Sequence, residues 1–476
     1  MVSEIVFGTD GWRGLIDKEI NKGSVGKVAQ AFAIYLKTRP KNSNDLKVAV
    51  AYDGRQYSKQ FAILFARILS GNSITTFLAD KTSTTPALSF YVKENGLNAG
   101  VMITASHNPA EYNGVKFKDS YGGPFFTEET LEIEKLIGKE LVQADDDKVY
   151  QVDIRSPYYM QLERLVNFQL IKEAGLNILI DSMGGSGQQV IETILRKYEI
   201  PAKTIFKIAE FDFSGRIAEP IEKNLLPLKE ELLKNHYSFG IATDGDADRV
   251  GIMMENGDWL SAQETILLLT DFLINKKKVK GHLVKTSSVT DKLKFLFENE
   301  ERKVFDVQVG FKYICEKMIQ EDIAFGCEES GGYGYKGHMP ERDGILSGLL
   351  FIEMLARSGY TKLSDYVYSK RNEFGLIHYS RIDFEYKNDD RLSILPFLVE
   401  KEIIELENYT IKDKQHFYSS RGVINGLKLR FIGDTKWLLL RCSETEPLFR
   451  IYAEGESDAE VERFLQFGKK LLEKDI

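Results

Sequence analysis

The stretch Ala99-Gly-Val-Met-Ile-Thr-Ala-Ser106-His-Asn-Pro109 sets the pattern of the chain, because an apolar run passes directly into a polar turn. The same rhythm recurs in Lys47 to Tyr52, Asn177 to Asp181 and Phe239 to Thr243. Helical periodicity follows these runs, so the pattern predicts strands that alternate with helices in parallel βαβ units. Such turns lie at the carboxyl edge of a sheet, where open α/β folds bind ligands.

The chain has 476 residues, too many for one ordinary core, and this length predicts three or four domains. We place boundaries at a polar stretch near residue 152, at a hairpin-like Glu255-Asn-Gly-Asp258, and near residue 373. The predicted domains are 1-152, 153-255 and 256-373, all α/β, and an α+β tail, 374-476. The tail carries a predicted hairpin around Ile432 to Lys436 and a last helix over 457-473.

Composition excludes several classes of protein. The net charge of -8 argues against broad nucleic-acid binding, which needs a clustered basic surface. No signal-peptide pattern opens the chain and no run of about 18 apolar residues occurs, so we expect a cytoplasmic protein without a membrane partner. Cys315, Cys327 and Cys442 are widely spaced, make no zinc signature and are interpreted as reduced thiols.

The first chemical motif is the turn from Thr104 to Pro109, whose Ser106 would project its hydroxyl from a strand end. Alone, this hexapeptide indicates only a turn. Lys116 follows it, and Asn113-Gly114 predicts a tight turn that folds a hairpin back toward the serine. A lysine that is desolvated or crowded by a positive neighbour can transfer its proton, although most lysines lie on the surface.

The second motif is Asp244-Gly-Asp246-Ala-Asp248-Arg249, which follows a strand-like run. Three carboxylates at alternate positions can converge on one hard cation such as Mg²⁺. The spacing opens like a calcium-binding EF-hand loop, but Arg249 stands at the sixth position, where that loop requires glycine. An acidic structural turn is the alternative, and repulsion between unpaired carboxylates favours a metal site.

Two further motifs carry polar groups on turns. Glu328-Glu329-Ser330 lies in a glycine-rich loop suited to sugar hydroxyls, and alone it is a weak signal. His338 and Arg342 follow it, while Asp343 precedes an apolar helical stretch and can be its N-cap. Near the end of the chain, Arg441 to Arg450 combines arginines, hydroxyls and turn amides, a pattern that can hold a phosphate. Phe7-Gly-Thr-Asp10-Gly-Trp-Arg13-Gly14 opens the chain, and its glycines let the backbone at Arg13 approach a ligand.

Taken in this order, the five motifs resemble the α-D-phosphohexomutase family, which includes phosphoglucomutases, phosphomannomutases and phosphoglucosamine mutases. The resemblance runs from Phe7 to about Glu454. It implies three related mixed-sheet α/β domains plus a C-terminal α+β domain around a central active-site cleft. It also implies a cytoplasmic enzyme, monomeric or homodimeric, that acts on small sugar phosphates.

The resemblance implies a role for each motif. Ser106 would carry the phosphoryl group and would complete a Mg²⁺ site with Asp244, Asp246 and Asp248. The other residues implied in catalysis are Lys116, Arg13, His107 and Arg249. The residues implied in substrate binding are Lys312, Glu328, Ser330, His338, Arg342, Arg441, Ser443, Thr445 and Arg450.

The implied reaction interconverts hexose 1-phosphate and hexose 6-phosphate through a phosphoserine and a hexose 1,6-bisphosphate. Glucose 1,6-bisphosphate would be intermediate and activator. Glu328-Glu329-Ser330 resembles the loop of phosphoglucomutases, which favours glucose, with phosphomannomutase or a dual enzyme as the alternative. Gly332 stands where several relatives have His, and Glu444 where the family usually has Gly. Two other classes stay open: a metal-dependent phosphatase with Asp244 as nucleophile, and a non-catalytic sugar-phosphate sensor.

Overall fold

The computed structural model describes residues 5–8, 10–39, 45–386, 388, 390–401, 405–406, 408–419, 422–443 and 447–473. These residues form four sheets with helices packed against them. Three sheets combine parallel and antiparallel strands, and the fourth is antiparallel throughout. The predicted fold class is therefore confirmed. Among the described residues, no helix is both long and apolar enough to cross a bilayer.

The first sheet has the strand order β1-β5-β4-β2-β3-β6. Its strands are β1 (Trp12–Leu15), β2 (Lys47–Tyr52), β3 (Thr75–Ala79), β4 (Ala99–Ile103), β5 (Tyr112–Asp119) and β6 (Val149–Val152). Its helices are α1 (Lys22–Thr38), α2 (Ser58–Gly71), α3 (Thr85–Glu94) and α4 (Thr127–Leu136). β2 and β4 are bounded as predicted because each is a buried apolar run that ends at a polar turn.

The second sheet has the order β11-β10-β9-β7-β8. Its strands are β7 (Ile178–Asp181), β8 (Ala202–Ile205), β9 (Phe239–Thr243), β10 (Val250–Met254) and β11 (Trp259–Leu260). The accompanying helices are α5 (Arg155–Leu165), α6 (Phe168–Glu173), α7 (Val190–Lys197) and α8 (Leu226–Lys234), with short 3₁₀ turns at Phe213–Gly215 and Glu222–Asn224. Glu255 to Asp258 forms the turn between β10 and β11, so this sheet extends past the boundary predicted at residue 255.

The third sheet has the order β13-β12-β14-β15. Its strands are β12 (His282–Thr286), β13 (Val304–Val307), β14 (Ile323–Cys327) and β15 (Tyr333–Tyr335). The helices are α9 (Ala262–Asp271) with a π-turn at Phe272–Lys276, α10 (Lys292–Phe297), α11 (Phe311–Gln320), α12 (Gly344–Ser358) and α13 (Leu363–Phe374). Asp343 caps α12 by accepting a 2.8 Å hydrogen bond from the amide of Leu346.

Helix α12 joins the second and third sheets into one packed unit. The ring of Phe351 on α12 lies 5.5 Å from that of Phe239 on β9. Gly348 lets the helix approach closely, because a Cβ there would lie 3.1 Å from Ile241. One buried apolar cluster consequently spans both sheets. The four predicted domain ranges stay predictions, since these two sheets share their core.

The fourth sheet has the order β16-β21-β20-β19-β18-β17. Its strands are β16 (His378–Glu385), β17 (Glu405–Leu406), β18 (Tyr409–Tyr418), β19 (Ile424–Phe431), β20 (Trp437–Cys442) and β21 (Leu448–Gly455). Helices α14 (Arg391–Glu400) and α15 (Asp458–Glu473) cover it. The predicted hairpin and last helix are confirmed.

A buried charge network fastens the fourth sheet to the third. The carboxylate of Asp291 accepts hydrogen bonds from Lys428 at 2.9 Å and Arg430 at 2.7 Å. Glu454 accepts from the hydroxyl of Thr290 at 2.5 Å and from the amide of Asp291 at 3.1 Å. Removing one partner would leave a buried charge uncompensated, so each residue of this network depends on its partner across the boundary between the two sheets.

Candidate active site

Each of the first three sheets carries a motif in the same place, on the loop between a central strand and its antiparallel neighbour. Ser106 lies on the loop between β4 and β5. Asp244, Asp246 and Asp248, the aspartate triplet, lie between β9 and β10, and Glu328 to Ser330 lie between β14 and β15. The chain thus places its polar turns at equivalent edges of three sheets.

The Ser106 loop holds an unusual backbone conformation. Ser106 has φ of +52° and is fully buried. This left-handed conformation costs a residue with a side chain about 1 kcal/mol and persists when surrounding contacts fix it. The amide of Ser106 donates to Thr104 Oγ1 at 2.8 Å, and its hydroxyl donates to Asp244 Oδ2 at 2.8 Å. The structure therefore brings the serine and the aspartate triplet together.

Gly245, between two aspartates of the triplet, makes this approach possible. A Cβ on Gly245 would lie 2.3 Å from the carbonyl oxygen of Ser106. The loops of the first and second sheets consequently touch backbone to backbone.

We predict that Gly245→Ala lowers kcat by about 10²-fold, because the added methyl forces Ser106 and Asp244 apart by roughly 1 Å. Steady-state kinetics with a hexose phosphate, the substrate class that the resemblance implies, measure this. Gly26→Ala is the matched control, since the nearest atom to its Cβ would lie 3.7 Å away. Wild-type kcat in Gly245→Ala would show that turnover does not need this approach.

The aspartate triplet forms a compact, buried cluster of oxygens. One ligand atom from each of Asp244, Asp246 and Asp248 lies within 4.8 Å of the others. Asp246 Oδ1 and Asp248 Oδ1 are buried and have no hydrogen-bond partner among the described residues. Buried carboxylate oxygens without a donor fit a hard cation, which prefers oxygen ligands. The cluster can therefore bind a metal ion.

Lys116 lies against the triplet from the first sheet. Its ammonium contacts Asp246 Oδ2 at 2.8 Å, Asp248 Oδ2 at 3.0 Å and Asp10 Oδ2 at 2.9 Å. Burial alone would lower the pKa of Lys116, but the three carboxylates outweigh it and raise the pKa above its ordinary value. The sequence predicts that desolvation or a positive neighbour loosens the proton of Lys116, and that reason is wrong. The proton-transfer role of Lys116 stays a prediction.

Lys116 reaches this place by a route that differs from the predicted turn. Asn113 and Gly114 lie inside β5, and the hairpin that returns the chain is the Ser106 loop itself. A Cβ at Gly114 would lie 2.4 Å from the carbonyl oxygen of Trp12 and 2.8 Å from that of Thr104. Glycine is needed here for close packing rather than for a turn.

Burial and mutual repulsion set the charges of the triplet. Burial, with Asp248 and Asp246 nearby, raises the pKa of Asp244 well above its ordinary value. Burial also opposes ionisation of Asp246, but Lys116 and a 2.5 Å hydrogen bond from Thr85 hold the pKa of that carboxyl below its usual range. The triplet thus carries negative charge that Lys116 balances only in part.

Basic residues surround the serine. Arg13 donates to Asn108 Oδ1 at 2.7 Å, and the Nε of Arg249 lies 3.9 Å from Asp248 Oδ1. His107 Nδ1 lies 3.4 Å from Ser106 Oγ. Burial, Arg249 and Arg13 lower the pKa of His107 well below its ordinary value, so its imidazole is neutral at pH 7.

The loop predicted to bind the sugar, Glu328 to Ser330, lies beside Arg342 and is called the sugar loop below. Ser330 Oγ is buried without a hydrogen-bond partner in the described structure, and Glu328 Oε2 lies 3.6 Å from Arg342 Nη1. Arg342 also contacts Asp248 Oδ2 at 2.7 Å and Asp10 Oδ2 at 2.5 Å. A Cβ at Gly332 would lie 2.3 Å from Cδ of Arg342, so the arginine fills the space above this glycine. Arg342 links the sugar loop to the triplet.

Two predicted substrate ligands have other contacts. His338 is buried, donates from Nε2 to Asp343 Oδ2 at 2.9 Å, and stacks near Phe90 and Tyr158 at ring distances of 5.9 and 6.3 Å. Lys312 donates to Thr127 Oγ1 on α4. The structure does not bring His338 into contact with the sugar loop, and the binding roles of both residues stay predictions.

The residues predicted to bind the phosphate of the substrate lie at a strand end of the fourth sheet. Arg441 on β20 is the direct cross-strand partner of Arg450 on β21, and Arg441 Nε is buried with no hydrogen-bond partner in the described part of the chain. Like charges directly opposite destabilise a sheet, so an anion between them would relieve the repulsion. Ser443 follows β20, with its amide bonded to the carbonyl of Leu448 at 3.1 Å. Thr445 and Glu444 lie outside the described residues.

Several site residues were not predicted. Asp10 belongs to the motif that opens the chain, but the sequence assigned it no role. In the structure it pairs with Lys116 and Arg342. Thr85, which reaches Asp246 from α3, had no sequence signal because the contact depends on domain packing. Arg55 follows β2 in an Asp-Gly-Arg turn, and that strand-end turn was the available signal.

Comparison with known proteins assigns the class. Models of the phosphoglucomutase/phosphomannomutase alpha/beta/alpha domains I, II and III match residues 4–143, 156–257 and 261–374, and the C-terminal domain model matches residues 412–467. The chain belongs to the phosphoglucomutase/phosphomannomutase family. Members of this family are mutases that act as intramolecular phosphotransferases, and they are metal-dependent.

Individual relatives align with nearly the whole chain, but their names give different sugars. A phosphoglucomutase/phosphomannomutase of Thermococcus kodakarensis is 27% identical over 99% of both chains. A phosphoglucosamine mutase of Caldicellulosiruptor bescii is 28% identical over 98% of both. A solved structure of a candidate phosphomannomutase from Thermus thermophilus is 32% identical, with a TM-score of 0.84 over 99% of this chain and 100% of that one. The family is thus established, whereas the sugar is not.

Proposed function

We propose that the protein interconverts the 1- and 6-phosphates of glucose, with Ser106 as the phosphoryl carrier and Mg²⁺ held by the aspartate triplet. The observation that carries this proposal is the 2.8 Å hydrogen bond from the Ser106 hydroxyl to Asp244, inside a buried cluster of three carboxylates. Asp244, Asp246 and Asp248 would hold the ion with Ser106. When bound, Mg²⁺ supplies positive charge that stabilises a phosphoryl group in transfer.

The reaction needs two transfers through the same serine. In the first, the free sugar hydroxyl attacks the phosphorus of phosphoserine, the bond to Ser106 Oγ breaks, and a base of the site takes the hydroxyl proton. In the second, Ser106 Oγ attacks the other phosphate of the bisphosphate, and that sugar oxygen recovers a proton. Glucose 1,6-bisphosphate is therefore the intermediate, and a trace of it primes the serine.

Two titratable side chains and two arginines lie close to the oxygen that carries phosphate. His107 Nδ1 lies 3.4 Å from Ser106 Oγ, which places it to exchange a proton with that oxygen, although its lowered pKa makes it a weak base. The three carboxylates that raise the pKa of Lys116 make it a weak acid, so this geometry supplies its positive charge beside the triplet. Arg13 and Arg249 add positive charge near the transferred group, and charge placed in advance is the main catalytic requirement for phosphoryl transfer.

The choice of sugar depends on the loop Glu328-Glu329-Ser330 and the arginines beside it. Glu328 faces Arg342 at 3.6 Å, and Glu329 faces Arg381 of the fourth sheet at 3.6 Å. Arg342 is shared with Asp10 and Asp248, so the glucose assignment rests on the resemblance of Glu328-Glu329-Ser330 to the loop of phosphoglucomutases rather than on charge. The names of the relatives make glucosamine phosphate the competing substrate.

We predict that kcat/KM for glucose 1-phosphate exceeds that for glucosamine 1-phosphate by about tenfold or more, since Glu328-Glu329-Ser330 resembles the loop of phosphoglucomutases. A coupled assay with glucose, mannose and glucosamine 1-phosphates, Mg²⁺ and a trace of glucose 1,6-bisphosphate measures this. Equal rates for glucose and mannose would make the enzyme dual, and faster turnover of glucosamine 1-phosphate would reject the glucose assignment.

A further inference from the structure

Arg55 lies beneath the Ser106 loop and has no part in the chemistry described above. Its guanidinium donates four hydrogen bonds to backbone carbonyls of this loop and of the strand that follows. Nη2 donates to the oxygens of Ser106 and Asn108, both at 2.6 Å, and Nη1 donates to those of Pro109 at 2.8 Å and Tyr112 at 2.9 Å. One side chain thus contacts the loop at the serine, at its middle and at its end.

The other side of Arg55 is fixed by its own turn. Asp53 Oδ2 lies 3.2 Å from Arg55 Nε, and Asp53 Oδ1 accepts the amide of Arg55 at 3.0 Å and the hydroxyl of Ser58 at 2.7 Å. The amide of Asp53 in turn donates to the carbonyl of Ile103, the last residue of β4, at 3.1 Å. The turn after β2 is consequently tied to the strand from which the Ser106 loop departs.

A contact from the second sheet completes the arrangement. The guanidinium lies 4.6 Å above the ring of Phe213, and the same ring is 3.2 Å from the position of a Cβ on Gly245. An arginine stacked on an aromatic face gains cation–π attraction while its edge donates hydrogen bonds. Arg55 therefore contacts the serine loop and also the wall beside the metal-binding turn.

We propose that Arg55 is a positioning residue that holds the Ser106 loop in its left-handed, transfer-competent conformation. The proposal rests on the proposed function, since it assumes that Ser106 carries phosphate. The fixed fork of arginine satisfies four carbonyls at once, and lysine has a single nitrogen that cannot span them. Because Arg55 binds the carbonyl oxygen of Ser106 and does not contact Oγ, it sets where the hydroxyl points without touching the transferred group.

The test compares Arg55→Met and Arg55→Lys with the wild type. We expect kcat to fall by about 10²-fold in Arg55→Met and by less in Arg55→Lys, with KM for glucose 1-phosphate within about twofold, because the sugar's own contacts are intact. Hydrogen exchange of the amides from 104 to 112 should speed up in both variants. A role confined to overall stability would lower the active fraction and leave kcat per folded molecule unchanged.

Arg39 provides the matched control. It lies in the same domain, forms a pair with Asp119 at 2.5 Å and lies 5.4 Å above the ring of Phe125. Asp119 pairs with Ala99, at the end of the β4–β5 hairpin opposite Ser106. We expect Arg39→Met to lower the melting temperature with kcat unchanged.

The outcomes separate this proposal from the proposed function. Wild-type kcat in Arg55→Lys, or unchanged exchange of residues 104 to 112, overturns the positioning role. Absence of turnover in the wild type overturns the proposed function, and the exchange measurement then still decides whether Arg55 orders the loop. If Arg55→Met does not fold, Arg55→Lys and its exchange rates decide the question.

Discussion

Ser106→Ala is expected to lower kcat for hexose phosphate interconversion by at least about 10⁴-fold, because a covalent carrier has no substitute in the site. Oγ lies 2.8 Å from Asp244 and 3.4 Å from His107, and the left-handed φ of +52° aims it at both. Alanine removes the oxygen that forms and breaks the bond to phosphorus. The coupled assay primed with glucose 1,6-bisphosphate measures the loss.

The phosphorylated residue gives a second readout. Wild-type protein incubated with glucose 1,6-bisphosphate should gain one phosphoryl group on the peptide that contains Ser106, and Ser106→Ala should gain none. Ser89→Ala is the control: Ser89 is fully buried in the same domain, and its hydroxyl has no hydrogen-bond partner in the described residues. We expect it to keep kcat.

A phosphatase that uses Asp244 gives the opposite pattern. Phosphate would then reside on aspartate, hydroxylamine would release it, and Ser106→Ala would keep most of its activity. A sugar-phosphate sensor would bind glucose 1-phosphate without turnover even after priming. Either result would refute the carrier role of Ser106.

Local sequence predicted the strands well where a buried apolar run ends in a polar turn. β4 and β9 have their predicted bounds because burial on both faces requires continuous apolar residues, and turn residues then end the run. The same reasoning failed at Asn113-Gly114, which looks like a tight turn and lies inside β5. Gly114 is there because β1 and the serine loop pack against it, a requirement that only the tertiary structure reveals.

The motifs of the site were recognisable, but their partners were not. Thr85 and Asp10 contact the triplet or its lysine across long sequence separations, and even the motif around Asp10 does not show these partners. Arg55 is a different case, because it binds backbone carbonyls, which every residue possesses. A sequence therefore cannot show to which loop such an arginine donates its hydrogen bonds.

The second large effect concerns the aspartate triplet. We expect Asp246→Asn to weaken Mg²⁺ binding by about 10²-fold or more and to lower kcat by about 10³-fold, since one of three anionic ligands becomes neutral. Asp246 Oδ1 is buried and without a donor among the described residues, while Oδ2 accepts from Lys116 and Thr85. An amide keeps the shape of the side chain, so the change tests charge rather than packing.

Calorimetric titration with Mg²⁺ separates loss of the ion from loss of the fold. Asp181→Asn is the matched control, because Asp181 is an equally buried carboxylate of the same sheet that pairs with Arg216 at 2.9 Å instead of with the cluster. It should bind Mg²⁺ with wild-type affinity. If Asp246→Asn also binds Mg²⁺ with wild-type affinity, Asp246 Oδ1 is not a metal ligand. The negative charge of the triplet would then be balanced by Lys116 and Arg342, which contact Asp246 and Asp248 directly.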